Sequence, residues 1–392
     1  MEYKLADIFE KPISGEWGKE LEEGKKGTKV IRTTNFTNLG KLDFNNMAER
    51  NIDLKKYKNK ILKTGDIIIE KSGGSPTQPV GRTVIFELDS DEEYVCNNFT
   101  SILRPKNIIY PKYSLYLLKD LYNKRKVLKF QNKTTGIINL KLNDYLLNTK
   151  VILPQFEVQQ RIVKILDKAQ SLIDKRKAQI EALDELVKSR FIEMFGDPVL
   201  NTKNWDIKPV IDICDCMVPG RDKPKSFTGN IPWITIEDLN VNSITYKSKS
   251  GLGLTDDEIK EVKRKKVPKG SVLMSCVGNL GICSIAGEEM IINQQLHSFQ
   301  CKDINSIFLM YYLGFRKDYM ISQASSTTVL YMNKSVCNSI PVYLPPIELQ
   351  NQFADFVKQV DKLKFEMEKS LKELEDNFNS LMQKAFNGEL FN

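Results

Sequence analysis

Val151-Ile152-Leu153-Pro154-Gln155-Phe156-Glu157-Val158-Gln159 returns 191 residues later as Val342-Tyr343-Leu344-Pro345-Pro346-Ile347-Glu348-Leu349-Gln350. Each copy opens a long stretch with helical spacing and neither proline nor glycine. In the first, Ile162, Leu166, Ala169, Ile173, Arg176, Ile180, Leu183, Val187, Arg190 and Met194 step by alternating fours and threes. A shift of 191 lands on Phe353, Val357, Val360, Lys364, Met367, Leu371, Leu374, Phe378, Leu381 and Ala385. Sustained 3-4 spacing marks a coiled-coil seam. A repeat of this length makes the chain two half-molecules in tandem, each an irregular domain followed by a long helix. At about 40 residues a helix spans roughly 60 Å. The expected arrangement is an antiparallel pair of the two copies, with Ile162, Leu166, Ile180, Leu183 and Val187 of the first facing Phe353, Val357, Leu371, Leu374 and Phe378 of the second. Arg176, Arg190 and Lys364 interrupt the seam, and each is apolar in the other copy. Polar seam residues can fix register.

Composition sets the class. A length of 392 residues with 41% hydrophobic and 28% charged residues is that of a chain with two or three globular domains. No apolar run approaches the ~20 residues of a membrane span, and the N-terminus lacks the pattern of a secretion signal. Seven cysteines without a CxxC motif point to reduced thiols in the cytoplasm. Cys214-Asp215-Cys216 has no second ligand pair at zinc-finger spacing, so no metal site is expected. The single histidine, His297, weighs against histidine-dependent nucleophilic catalysis. It sits in an alternating stretch and reads as a strand residue with its hydrogen bond satisfied. The net charge of +8 is uneven: residues 1–152 carry 27 Lys+Arg against 19 Asp+Glu, whereas residues 345–392 carry 6 against 9. That fits irregular domains that touch phosphate and helices that do not.

The two irregular domains follow one script. In the first, Lys63-Thr64-Gly65-Asp66 reads as a turn before Ile67-Ile68-Ile69. Gly73-Gly74-Ser75-Pro76 breaks the strand, and Thr83-Val84-Ile85-Phe86 resumes it. Lys112 to Lys129 has helical spacing through Tyr113, Leu117, Leu121 and Leu128. In the second, Lys269-Gly270 leads into Ser271-Val272-Leu273-Met274, Gly278-Asn279-Leu280-Gly281 breaks it, and Ile307 to Ile321 is apolar at helical spacing. A Thr-rich stretch precedes each LP motif.

The loop from Glu70 to Arg82 places Lys71 and Arg82 beside glycines that let a backbone approach a ligand. It lacks the Gly-Lys-Ser/Thr tail of a Walker loop. Pro219-Gly220-Arg221-Asp222-Lys223-Pro224-Lys225 puts three cations in a Pro/Gly loop within reach of a phosphate backbone. A solvated turn is the competing reading of both loops. Trp233 reads as core. Amino-methyltransferase, methyl-donor-binding, nuclease and ATPase motifs are missing.

With these residues in hand, the whole chain resembles the specificity (S) subunit of type I restriction–modification systems. The resemblance rests on the doubled LPxxExQ opening and on Glu70 to Pro76 followed by Pro79-Val80-Gly81-Arg82. It rests further on Thr134-Thr135-Gly136-Ile137-Ile138-Asn139-Leu140, Ile231-Pro232-Trp233-Ile234 and Asn293-Gln294-Gln295. One departure is Ser275-Cys276-Val277-Gly278-Asn279-Leu280-Gly281 in place of an SGGS loop in the second domain.

The resemblance implies an α/β (α+β) fold. Target recognition domains at 1–152 and 197–343 are separated by spacer helices at 153–196 and 344–392, forming an antiparallel coiled coil in a pseudo-two-fold tandem repeat. It implies a non-catalytic subunit without cofactor. Each domain would read one half of a bipartite double-stranded DNA target, and the helices would set the gap. Its partners would be two methyltransferase (M) subunits and restriction/translocase (R) subunits, with no membrane. The expected DNA-contacting set is Lys71, Ser72, Gly73, Gly74, Arg82, Lys133 and Thr135 in the first domain, and Arg221, Lys223, Lys225, Asn279 and Lys334 in the second. A fused restriction–modification enzyme would need the motifs that are missing. A protein-only coiled-coil adaptor would not need the basic excess of residues 1–152.

Overall fold

The structure is a computed structural model. It describes every residue except Pro76, Thr135, Gly136, Arg221, Thr327, Thr328, Phe391 and Asn392, and the backbone only of Lys133, Thr134 and Ser326. The chain forms two compact units, Met1–Arg176 with Ser370–Asn392, and Lys177–Lys369. Both long helices pass from one unit to the other.

In the first unit the Ile67–Glu70 strand lies centrally in a four-stranded antiparallel sheet, between Thr100–Leu103 and Thr83–Ile85, with Ile13–Ser14 at the edge. Its run of isoleucines follows from burial on both faces. Ile67 and Ile69 face one core with Ile85 and Leu103, while Ile68 faces another with Val84 and Ile102. The preceding turn closes with Asp66 N donating to the Lys63 carbonyl at 2.9 Å, and Gly65 holds φ +94°. The helix Pro111–Asn123 covers the Ile67/Ile69 face. The expected helical run to Lys129 is shorter in fact. It stops at Asn123, Arg125 turns left-handed, and Lys126–Phe130 is a 3-10 turn with Leu128 exposed.

The second unit repeats the plan. Val272–Ser275 lies in a five-stranded sheet between Leu296–Cys301 and Cys283–Ala286. Val272 and Met274 face one core and Leu273 the other. The apolar stretch after Ile307 forms two helices, Ser306–Phe315 and Lys317–Gln323. They part at Arg316, which is buried and whose Nη1 donates to the Pro198 carbonyl at 3.2 Å. A short antiparallel pair closes each domain beside its LP motif: Glu2–Lys4 with Lys150–Ile152, and Ile207–Pro209 with Pro341–Tyr343.

The long helices run Phe156–Phe195 and Ile347–Phe386. In the first unit Ile162, Leu166 and Ile173 share a core with Phe378, Met382 and Ala385, with Leu371 and Leu374 partly buried against it. In the second, Leu183, Val187, Phe191 and Met194 share a core with Phe353, Val357 and Val360. The start of each helix therefore meets the end of the other, and the pair is antiparallel. Of the seam breaks, Lys364 pairs with Asp184 at 2.7 Å, and Arg190 lies over the Phe356 ring at 5.9 Å. Ile180 is half-buried and belongs to neither core.

Candidate nucleic-acid interface

The last residue of the LP motif fixes each domain's helix to its spacer. Gln159 is buried. Its Oε1 accepts from Tyr110 N at 2.8 Å, and its Nε2 donates to the Ile108 and Pro154 carbonyls at 3.1 and 3.0 Å. Gln350 repeats this, accepting from Asn305 N at 2.9 Å and donating to the Pro345 carbonyl at 2.7 Å. Tyr110 and Asn305 are the N-caps of Pro111–Asn123 and Ser306–Phe315. A side-chain carbonyl there satisfies a donor near the start of the helix.

The Glu70–Arg82 loop is built on this support. Glu70 N donates to the Arg82 carbonyl at 2.9 Å. The Arg82 guanidinium holds the Glu70 carboxylate through two bonds of 3.0 and 3.1 Å, with side chains 18% and 3% exposed. The carboxylate raises the Arg82 pKa further above its ordinary value. Gly74 takes φ +69°, where a Cβ would fall 2.9 Å from Val80 Cγ1 and 3.0 Å from the Gln78 carbonyl oxygen, so the turn needs glycine.

Lys71 donates to Ser14 Oγ at 2.6 Å, and burial lowers its pKa. Ser72 and Gly73 pair with Asn139 and Ile138, and Ile138 in turn opposes Lys133. The structure thus brings Lys71, Ser72, Gly73, Gly74 and the backbone of Lys133 to one small sheet, with Arg82 at its base. Thr135 lies outside the described residues.

In the second unit the equivalent strand ends and return, Ser275 and Ile282, are joined by Ser275 N donating to the Ile282 carbonyl at 2.9 Å. Here Ser275 and Ile282 replace the ion pair. Asn279 is exposed and accepts from Lys317 Nζ at 2.8 Å. The loop lies against the segment leading to Lys334, since Val277 bridges Tyr331 and Gly278 N donates to the Leu330 carbonyl. Lys334 is exposed at the start of a short helix. Lys223 and Lys225 are exposed elsewhere, with Lys225 paired to Glu261 at 3.0 Å. Among the described residues no hydrogen bond joins these two groups. Arg221 lies outside the described residues. Buried Arg264 anchors the Lys223 loop by donating to the Asp222 carbonyl at 2.6 Å, and it lies over the buried Trp233 ring at 5.3 Å. Sequence reading missed Ser14, Lys317 and Arg264. Each acts through a partner at least 38 residues away, and no local pattern reports that.

Among the described residues, no cluster of three or more His, Cys, Asp or Glu could hold a metal ion, and no helix is long and apolar enough to cross a membrane.

Two repeats with one scaffold and different loops define a family. The chain belongs to the one described as type I restriction modification DNA specificity domain, which residues 1–182 and 202–376 match. The MjaX protein of Methanocaldococcus jannaschii, provisionally named a type I restriction enzyme specificity subunit, is 23% identical over 416 aligned positions, covering 99% of this chain and 92% of that one. The MjaVIII specificity subunit of the same organism is 25% identical over 304 residues, 70% of each chain. Among solved structures, a chain from work on complex assembly and conformational transition of the type I R-M system gives a TM-score of 0.62 at 16% identity, covering 100% and 98% of the two chains. The S subunit of a type I restriction–modification system from M. genitalium gives 0.54 at 14% identity, covering 98% and 96%. At these identities the likeness to solved structures is one of fold.

Proposed function

We propose that this chain is the non-catalytic reader of a bipartite duplex DNA target in a cytoplasmic type I restriction–modification assembly. Recognition domains at 1–152 and 197–343 each read one half-site, and spacer helices at 153–196 and 344–392 set the gap. The chain binds no cofactor. Two methyltransferase subunits and restriction/translocase subunits assemble on it and supply the chemistry. The observation that carries this reading is the pairing of a shared scaffold plan with divergent loops. Gln159 and Gln350 make the same cap, whereas the loop base is Glu70 with Arg82 in one copy and Ser275 with Ile282 in the other. A protein that reads two different half-sites needs this combination.

Cations supply most of the affinity through phosphate, and base edges supply the specificity. Lys71, Ser72, Gly73, Gly74, Lys133 and Thr135 form the first contact set, with Arg82 holding the loop that presents them. Arg221, Lys223, Lys225, Asn279 and Lys334 form the second. The test is selection from random duplexes by the assembly purified from its native cells. The expected outcome is one motif of two fixed, unlike blocks around an unread spacer. Recovery without sequence enrichment contradicts the reading.

A further inference from the structure

Beside the Glu70–Arg82 loop, the first unit holds a cavity of about 220 Å³ to which no sequence motif pointed. Arg82, Lys119, Asn38, Gln78, Tyr122 and Asn123 are among the residues that line it, and no Asp or Glu is. Arg82 spends Nε and Nη2 on Glu70, which leaves Nη1 without a hydrogen-bond partner among the described residues. Lys119 stands on the helix Pro111–Asn123, half-buried, and its ammonium makes no hydrogen bond or ion pair among the described residues. Burial lowers its pKa. Asp174, whose charge acts on it, is already engaged by Lys41 at 3.0 Å and Gln170 at 2.9 Å.

The second unit lacks both cations at the equivalent positions. Tyr110 and Asn305 are equivalent because each donates its backbone N–H to the LP glutamine. Nine residues further on, the first unit has Lys119 and the second Gly314. Across the loop base, Arg82 answers to Ile282. A half-buried ammonium without a partner is costly, and amide and guanidinium donors around it favour an anion. Glu70 already offsets the Arg82 charge, so the cavity offers one net positive charge. That suits a singly charged oxyanion better than a dianion.

We propose that this cavity is an oxyanion site that takes a backbone phosphodiester of duplex DNA, so that the first half-site carries a phosphate clamp the second lacks. The proposal rests on the DNA-reading function above. Lys119 provides the charge, Arg82 Nη1 and the amides provide donors, and the contact positions the duplex without reading a base.

The test uses the assembly as purified, with wild-type, Lys119→Gln and Lys119→Arg chains, and has two arms. In the first, duplex affinity is measured across salt concentration. Loss of one phosphate contact lowers the log–log salt slope by about 0.9, so the variant's affinity falls about threefold less than wild type's between roughly 50 and 200 mM salt. Lys119→Arg is expected to restore the slope. In the second arm, protection of Lys119 from amine-selective acylation is read by mass spectrometry with duplex or with inorganic phosphate at constant ionic strength. Duplex protection together with the lowered slope supports the site. An unchanged slope in Lys119→Gln, or protection by phosphate but not by duplex, overturns it. If Lys119→Gln fails to fold, duplex protection in the wild type and the Lys119→Arg slope decide. A wild-type assembly that holds no duplex sinks the DNA-reading function itself, which is a different failure from an unchanged slope.

Discussion

Gln159 Oε1 lies 2.8 Å from Tyr110 N, and this bond helps tie the helix covering the first sheet to the spacer helix. The same bond recurs 191 residues on from Gln350, to Asn305 N at 2.9 Å. Replacing Gln159 with Leu strips a buried donor of its acceptor and two carbonyls of their donor. Each orphaned group costs about 1–3 kcal/mol, so with three groups affected the variant should lose at least about 3 kcal/mol in urea unfolding. A loss below about 1 kcal/mol would mean the motif glutamine is not a structural cap.

The Glu70–Arg82 pair should behave as a unit. Glu70→Leu or Arg82→Met alone leaves a buried or half-buried charge unpaired, at about 2–4 kcal/mol once partial exposure of Arg82 is allowed for. The double variant should cost less than either single one, because an uncharged base already serves at Ser275 and Ile282. A double-mutant cycle in denaturant checks this, and additive losses would contradict it.

Much of this architecture is visible in the chain itself. The repeat announces the two long helices, because a 3-4 seam has no other economical use. The isoleucines at 67–69 and the residues at 272–274 declare buried strands, and Trp233 is core as its apolar flanks indicate. The cap made by Gln159 was not legible, since its partner Tyr110 lies 49 positions upstream. Nor was the cavity, because Lys119 looks like any polar position on an amphipathic helix until the fold sets Arg82 beside it. The helix expected to reach Lys129 ends at Asn123 because the Leu128 spacing is met by a 3-10 turn instead.

Buried His297 should make the second unit acid-sensitive. It is fully buried, its Nε2 is 3.1 Å from Asn338 Oδ1, and Nδ1 has no partner among the described residues. Burial pushes its pKa down to about 4 from the ordinary 6.5. The unfolded chain therefore takes up the proton first. The stability contributed by neutral His297 is complete above about pH 6.5 and falls as pH drops toward about 4, by roughly 2 kcal/mol at about pH 5. Urea unfolding at several pH values should show this slope, and His297→Gln should lack it. Equal slopes in both would contradict the assignment.

Seam substitutions should follow burial rather than heptad position. Leu166 is fully buried in the first core. Leu166→Asp should unfold that unit at ordinary temperature, since a buried lone carboxylate costs several kcal/mol. Ile180→Asp, at a half-buried position outside both cores, should cost about 1–2 kcal/mol. Circular dichroism melts of the two variants distinguish this from a uniformly deep seam, in which both would unfold.

The most direct test of DNA reading is methylation-sensitive sequencing of genomic DNA from cells with this gene, without it, and with residues 1–152 exchanged for those of a related subunit. With the gene, one bipartite motif should carry methylation that vanishes on deletion. The exchange should rewrite one half of that motif and leave the other half and the spacer as they were. Identical methylation in all three strains, or an exchange that changes both halves together, would contradict it.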